Sequence, residues 1–549
     1  MSLIERRYRV KKMLYSRIAA ALEEISLAER SRKAELAAGL LADPDSLSIC
    51  ITVRLLLGIL WPPWENREMG IGPEALLRAL DEVSKENISA LRESLGEAGI
   101  ICEAALQSKN QHPLAEEPLQ ASSVYGRLEK ISRMSGPESE HRKDAILRGL
   151  FLEATPQEGK FIARTALGNM LAGIGPKTMI QALALALHSD HRELQKAYNL
   201  MPDMGLVAEA AVHGTLGGLQ IKPGRPIRPM IACPGKAIIP GAFLPKYAGL
   251  RVQLHMIGGD VSVFTSRLKN LTLSLNGLCQ GLDVGRDDWI MDADLIGFLD
   301  GRVCDQAEMV RYINRRRLSR RSRVSPALLA YDLICFNGTD LTGLSYQERH
   351  KKLLDILGEP KDLPFRGISA ACQRVLQSDD EVQKCLDCIL KSGGRGLISR
   401  DLAAPYRPGG CSERDFLLMD EATISAVVVR AEYGRGSREQ RLSRFQVALK
   451  SNDELVAVGW ASGGLKSRDA SALEEHLRGL VLEEDESGVN VRPEVILSMK
   501  ISGATRFVRE GFRILQPKIV DMRFDGSPEE ADGLERLDTM VDKIDKRMA

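Results

Sequence analysis

The spacing of apolar residues changes period once along this chain, and the change falls at Lys222-Pro223-Gly224-Arg225-Pro226. Before that point apolar residues recur three and four apart, as in Ile18, Leu22 and Ile25 or Ala163, Leu167 and Met170, which places them on one stripe of a helix. After it come short apolar runs, among them Arg251 to Ile257, Val261 to Thr265, Ile290 to Leu295 and Leu328 to Ile334, which read as strands. A segment patterned for one period does not settle into the other, so the chain divides into an all-helical part and a mixed part. Within the helical part the polar stretch Gln107 to Ser123, with Pro113 and Pro118, reads as a link between two lobes. Further on, Ile424 to Glu432, Phe445 to Lys450, Leu455 to Ala461 and Val495 to Ser502 alternate with Gly and charged turns, the pattern of a small β-barrel. The expected architecture is multidomain: residues 1–222 all-α, 223–420 α/β or α+β, and 421–549 a C-terminal β-barrel. Glu483-Glu484-Asp485-Glu486 reads as a solvated loop.

The bulk properties fit a soluble chain with several cores: 549 residues, of which 44% are hydrophobic, suffice for separate packed domains. Lys and Arg total 75 against 74 Asp and Glu, a net charge of +1, so affinity for phosphate must come from local patches rather than a global field. The densest basic run is Arg311, Arg315, Arg316, Arg317, Arg320, Arg321 and Arg323. At helical spacing Arg316, Arg320 and Arg323 share a face, either a solvated helix or a phosphate-tracking patch. The cysteines show no framework spacing, and the close pair Cys385 and Cys388 has no second pair or histidine cluster. Buried free thiols in a reducing cytoplasm are therefore expected instead of zinc. Met1 to Lys12 carries no apolar signal region, and the apolar run Leu47 to Trp61 holds Arg54 and stops at Pro62, so no membrane span is expected.

Chemistry concentrates in Leu244-Pro245-Lys246-Tyr247-Ala248-Gly249-Leu250-Arg251, a lone lysine in a β-rich surround. A strand alternates its faces with period 2, so Lys246 and residue 248 are expected to point the same way, into one pocket. The segment resembles the lysine motif of nucleotidyltransferases, Lys-x-Asp-Gly-x-Arg. Further blocks follow it in the order found in ATP-dependent DNA ligases of the archaeal and eukaryotic replicative type. These are Phe264 to Thr272 with Arg267, Ile290-Met291-Asp292-Ala293-Asp294, Ala330-Tyr331-Asp332-Leu333, and Gly394 to Tyr406 with Arg400. Leu55 to Gly72 and Arg142 to Thr178 are similar to that family's helical DNA-binding domain. Gly511-Phe512-Arg513-Ile514 and Ser527 to Asp532 are similar to the close of its barrel.

The resemblance implies an all-α DNA-binding domain, an α+β nucleotidyltransferase domain and a C-terminal OB-fold β-barrel acting as a monomer on nicked duplex DNA. It implies that Lys246 takes AMP from ATP, that Arg251, Arg267, Tyr331, Arg400, Arg414 and Lys518 meet nucleotide or phosphate, and that Asp294 helps to hold Mg²⁺. The sequence departs from the family pattern at several points. Ala248 replaces the motif aspartate, Leu244 and Arg395 replace glutamates, Asp294 stands for a glutamate, Arg400 replaces a lysine, and Asp415 to Asp420 replaces a run with two lysines. One preorganised charge-stabilising group is worth about 10²–10³ in rate. Two functions follow: nick joining through lysyl-AMP, slowed or lost, or binding of nicked duplex or regulation of a partner without ligation.

Overall fold

In a computed structural model the described residues are 13–29, 31–42, 49–110, 117–136, 138–234, 237–282, 284–304, 306–314, 323–419, 422–434, 441–451, 454–485, 487–507, 511–524 and 526–537. Helices run from Tyr15–Leu27 to Met204–Val212, and the stripe read from the sequence is the buried one, with Ile18, Leu22 and Ile25 fully covered. Side-chain caps fix several starts: Thr155 and Glu158 form a reciprocal capping box on Pro156–Ala166, and Asp190 and Asp203 cap the two helices that end the domain, each satisfying otherwise orphaned N–H groups. The two lobes expected on either side of Gln107 to Ser123 are one body. Val124, Leu128 and Ile131 share a single core with Ile18 and Leu22. The end of the stretch is stitched back across the domain, with Tyr15 N–H donating to Leu119 O at 2.8 Å and Ala121 N–H to Met13 O at 2.9 Å. A polar composition marked the segment as irregular; it could not show that the chain returns to the same core.

The central domain has two sheets. One orders its strands Ile231–Pro234, Cys411–Met419, Gly396–Arg400, Gly241–Lys246 and Arg374–Leu376. The other runs Asp260–Thr265, Leu250–Ile257, Trp289–Leu299, Ser325–Phe336 and Thr339–Asp340, with Arg302–Val303 and Gly367–Ala370 added at its sides. The chain crosses between the sheets in three residues, 247–249. Lys246 therefore ends its strand and Ala248 lies in a bend, so the two do not share a strand face. Gly249 permits the crossing: a Cβ there would lie 2.9 Å from Ile296 Cγ2 and 3.0 Å from the Leu295 carbonyl oxygen.

The C-terminal domain is β-rich and curled, with strands Glu454–Ala461, Leu442–Ser451, Ala422–Tyr433, Gly488–Val491 and Val481–Asp485 in that order. Register shifts at Val428/Arg430 and Val447/Ala448 bend it, and Ile496–Ile501 bridges Ala422–Tyr433 to Lys518–Arg523. Glu483, Glu484 and Asp485 belong to an exposed edge strand, Val481–Asp485, instead of a loop. Acidic side chains suit an edge that must not recruit another strand. Glu486 lies outside the described residues.

Of the basic run, Arg315, Arg316, Arg317, Arg320 and Arg321 lie outside the described residues. Arg311 is in the last turn of Gln306–Ile313. Arg323 stands in extended chain ahead of Ser325–Phe336, paired with Asp300 at 2.5 Å, and so is not on a helical face. Cys385 is buried, whereas Cys372 and Cys388 are exposed, contrary to a uniform expectation of buried thiols. Among the described residues no helix is long and apolar enough to cross a membrane.

If the helical domain has one core, Phe151→Ala should lower its unfolding free energy by about 3–5 kcal/mol and raise amide exchange on both sides of Gln107 to Ser123 together. Exchange rising only after Ala121 would contradict a single core.

Candidate functional site

The crossing at 247–249 brings Lys246 against the Trp289–Leu299 strand of the facing sheet. There Lys246 Nζ lies 2.5 Å from Asp294 Oδ2. Asp294 is buried, and its second oxygen, Oδ1, has no hydrogen-bond partner. Period-2 geometry places Asp292 on the same face of that strand. Asp292 accepts hydrogen bonds from Arg251 Nη2 and, at 2.6 Å, from the Tyr406 hydroxyl. Burial opposes the charge on Arg251, but its acidic neighbours, Asp292 foremost, together outweigh burial and hold the guanidinium well above its ordinary value.

A second group of buried charges closes the space behind Lys246. Ser345 caps Tyr346–Leu357 through reciprocal bonds with Glu348, which sets Arg349 in the first turns of that helix. Arg349 donates twice to Asp332, at 2.8 and 3.1 Å, and Arg400 donates to the same carboxylate at 2.8 Å. Burial pushes the Asp332 carboxyl up, and the two arginines outweigh it and hold it below the usual carboxylate range. Arg400 Nε also approaches Asp415 Oδ2 at 3.5 Å, while burial raises the Asp415 carboxyl. Tyr331 sits among these groups, with the guanidinium carbons of Arg251 and Arg400 5.2 and 5.3 Å from its ring centre. Burial raises its phenol far above the ordinary range, so the ring is neutral.

In front of this cluster is a cleft of about 550 Å³ between the helical and central domains, lined by Arg54, Trp61, Tyr198, Arg228, Arg251 and Arg267 among others. Arg54 is paired with Asp203 at 2.5 Å and Arg228 lies over the Tyr198 ring at 5.2 Å. The domains are fastened beside the cleft. Asn66, in a left-handed conformation at φ 49°, donates to Asn270 O at 2.5 Å and accepts from Asn270 N–H at 3.1 Å.

Two family models match this chain: residues 14–184 match DNA ligase N terminus, and residues 235–417 match ATP dependent DNA ligase domain. The chain belongs to the ATP-dependent DNA ligase family. It is similar to a DNA ligase of Methanothermobacter thermautotrophicus, 28% identical over 96% of this chain and 98% of the relative. It is also similar to one of Thermococcus onnurineus (strain NA1), 29% identical over 90% of this chain and 91% of the relative. A solved chain, Pmar-Lig_Pre, covers 92% of this one and 99% of itself at a TM-score of 0.53 and 12% identity, a likeness of fold alone. Ligases of this family depend on ATP and a divalent metal in general and bind nicked duplex DNA.

Within this ligase-family chain the structure brings together five of the residues picked out by sequence: Lys246, Asp294, Arg251, Tyr331 and Arg400. Arg267 is exposed at the edge of the cleft. Arg414 is exposed and paired with Asp401 at 2.7 Å, because alternation along Cys411–Met419 turns its neighbour Asp415 inward. Lys518 is exposed on the strand Lys518–Arg523 of the C-terminal domain, and among the described residues nothing ties it to the Lys246 cluster. Sequence reasoning missed Asp332, Arg349 and Tyr406 as members of the site, and Arg54 and Arg228 in the cleft. Asp332 follows Tyr331 in its block, so position pointed to it, but its cationic partners lie 17 and 68 residues away.

Removing Asp332 should strand two buried guanidinium groups, so Asp332→Ala is expected to lower stability by about 3–5 kcal/mol in chemical unfolding. Two buried histidines set a pH dependence. Burial lowers His255 to about 3 and His350 to about 4, so the unfolded chain, with histidine near pH 6.5, takes up protons first. Their contribution is fully present above about pH 6.5 and lost as pH falls. The double variant His255→Gln, His350→Gln should show a shallower fall in unfolding midpoint between about pH 6.5 and 4.5 than the parent.

Proposed function

We propose that this protein joins nicks in duplex DNA through AMP carried on Lys246. The observation that supports this is the 2.5 Å contact between Lys246 Nζ and Asp294 Oδ2, beside a second Asp294 oxygen that is buried and unpaired. A lysine attacks only as the neutral amine, a rare state for a group of ordinary pKa about 10.4, and Asp294 Oδ2 stands where it can receive the proton. The amine then attacks the α-phosphorus of ATP. An N–P bond forms, the bond to the bridging oxygen breaks, and pyrophosphate leaves with the electron pair. Asp294 Oδ1 is the donor we assign to Mg²⁺, which needs only one or two carboxylates when substrate phosphate and water complete its shell, and whose charge would stabilise that developing on the phosphate. Tyr331 is assigned to the base, Arg251 and Arg400 to nucleotide phosphates, and Arg267, Arg414 and Lys518 to the nicked strand. In this assignment residues 1–222 grip the duplex, 223–420 perform the chemistry, 421–549 close over the nick, and a single copy suffices.

A second reading is recognition of nicked duplex without ligation. It is favoured by the charge balance around Lys246, where Arg251, Arg349 and Arg400 each already face a buried carboxylate. A triphosphate entering there meets little unspent positive charge. Incubation with α-labelled ATP and Mg²⁺, followed by denaturing electrophoresis, separates the readings. Nick joining predicts a covalent label that Lys246→Ala abolishes and that Asp294→Asn lowers by about 10²–10³ in rate. A folded protein that binds nicked duplex but takes no label would establish recognition alone.

A further inference from the structure

The segment between the last helix of the helical domain and the first strand of the central domain, residues 219–230, is irregular. Its backbone N–H groups must find partners outside any ladder. Three find side chains. Gly224 N–H donates to His255 Nδ1 at 2.9 Å, Ile227 N–H to Gln253 Oε1 at 2.9 Å, and Met230 N–H to the Tyr406 hydroxyl at 3.0 Å. Gln253 and His255 are two apart on Leu250–Ile257 and so share a face with Arg251. Because His255 Nδ1 accepts, its proton is on Nε2, which donates to Gln253 Oε1 at 2.9 Å.

These bonds converge on one carboxylate. Gln253 Nε2 approaches Asp292 Oδ1 at 3.5 Å, Tyr406 donates to Asp292 Oδ2, and Arg251 is paired with that same oxygen. Gln253, His255, Asp292 and Tyr406 are all buried, so water does not substitute for a lost partner, and each unpaired group is costly. The linker that carries the helical domain and the arginine that lines the cleft are thus held by one buried network.

We propose that Gln253 and His255 are positioning residues that seat the interdomain linker on the strand Leu250–Ile257, so that the helical domain is held docked where it meets the nicked duplex. This rests on the ligase reading above. His255 bonds to Gly224 and Gln253 and to neither Lys246 nor the Arg251–Asp292 pair, so formation of lysyl-AMP, which needs no DNA, is independent of the His255 seat, whereas engagement of a nick depends on it.

The test uses the full chain with a nicked duplex bearing a 5′-phosphate and a 3′-dideoxy end, which binds without being sealed. His255→Leu removes the Gly224 and Gln253 bonds and should weaken binding by about five- to tenfold, raise amide exchange over residues 224–230, and leave ATP labelling of Lys246 at the parent level. His255→Gln, whose amide accepts from Gly224 and donates to Gln253, should restore affinity. Faster linker exchange with unchanged affinity would overturn the proposal, since His255 would then only pack the linker. Should His255→Leu fail to fold, Gln253→Met, close to it in volume, supplies the same comparison of exchange with affinity. Parent protein that binds no nicked duplex would instead defeat the ligase reading itself.

Discussion

Carboxylates on one sheet of the central domain hold cations on the other, and the site depends on that clasp. Asp332 takes Arg400 across the gap while Arg349 braces it from the helix behind, and Asp294 takes Lys246. Coulomb attraction in a dry interior is strong, but so is the cost of removing each ion from water. Such pairs add less to net stability than to geometry, because each is far worse broken than made. Here they fix the separation of the sheets and the place of the lysine between them.

The same clasp limits what the gap can bind. Every cation that the clasp and the Asp292 pair hold has a carboxylate, so a nucleotide must compete for Lys246, Arg251 and Arg400 or share them. Asp294 is the exception on the acidic side, with one oxygen on Lys246 and one unspent. Catalysis through preorganised charge depends on groups already aimed at the phosphate, and this arrangement places the unspent charge on a carboxylate, where a divalent ion and not a phosphate would sit.

Much of the fold was legible because local patterns decided it. The buried stripe of Tyr15–Leu27 was set by period, and the strands Leu250–Ile257 and Ser325–Phe336 were marked by the apolar runs Arg251 to Ile257 and Leu328 to Ile334. The return of Leu119 to pair with Tyr15, and the end of a strand at Lys246, were not legible, because both depend on which other element the chain meets. The site shows the same division. Lys246, Arg251, Tyr331, Asp294 and Arg400 were found by resemblance in short blocks, whereas Arg349, the linker seat and the bond from Tyr406, itself inside a block, to Asp292 were invisible, since no local pattern marks a partner contributed by a distant element.

In the nick-joining reading proposed above, nucleotide enters between the two sheets, with its base on Tyr331 and its α-phosphate beside Lys246 Nζ. A crystal structure of Lys246→Ala protein soaked with ATP and Mg²⁺ tests it most directly, because the nucleotide is then unable to react. The expected result is nucleotide density between the sheets, the metal on Asp294 Oδ1, and Arg400 still joined to Asp332. Nucleotide bound elsewhere, with Tyr331 still covered by Arg251 and Arg400, would contradict it.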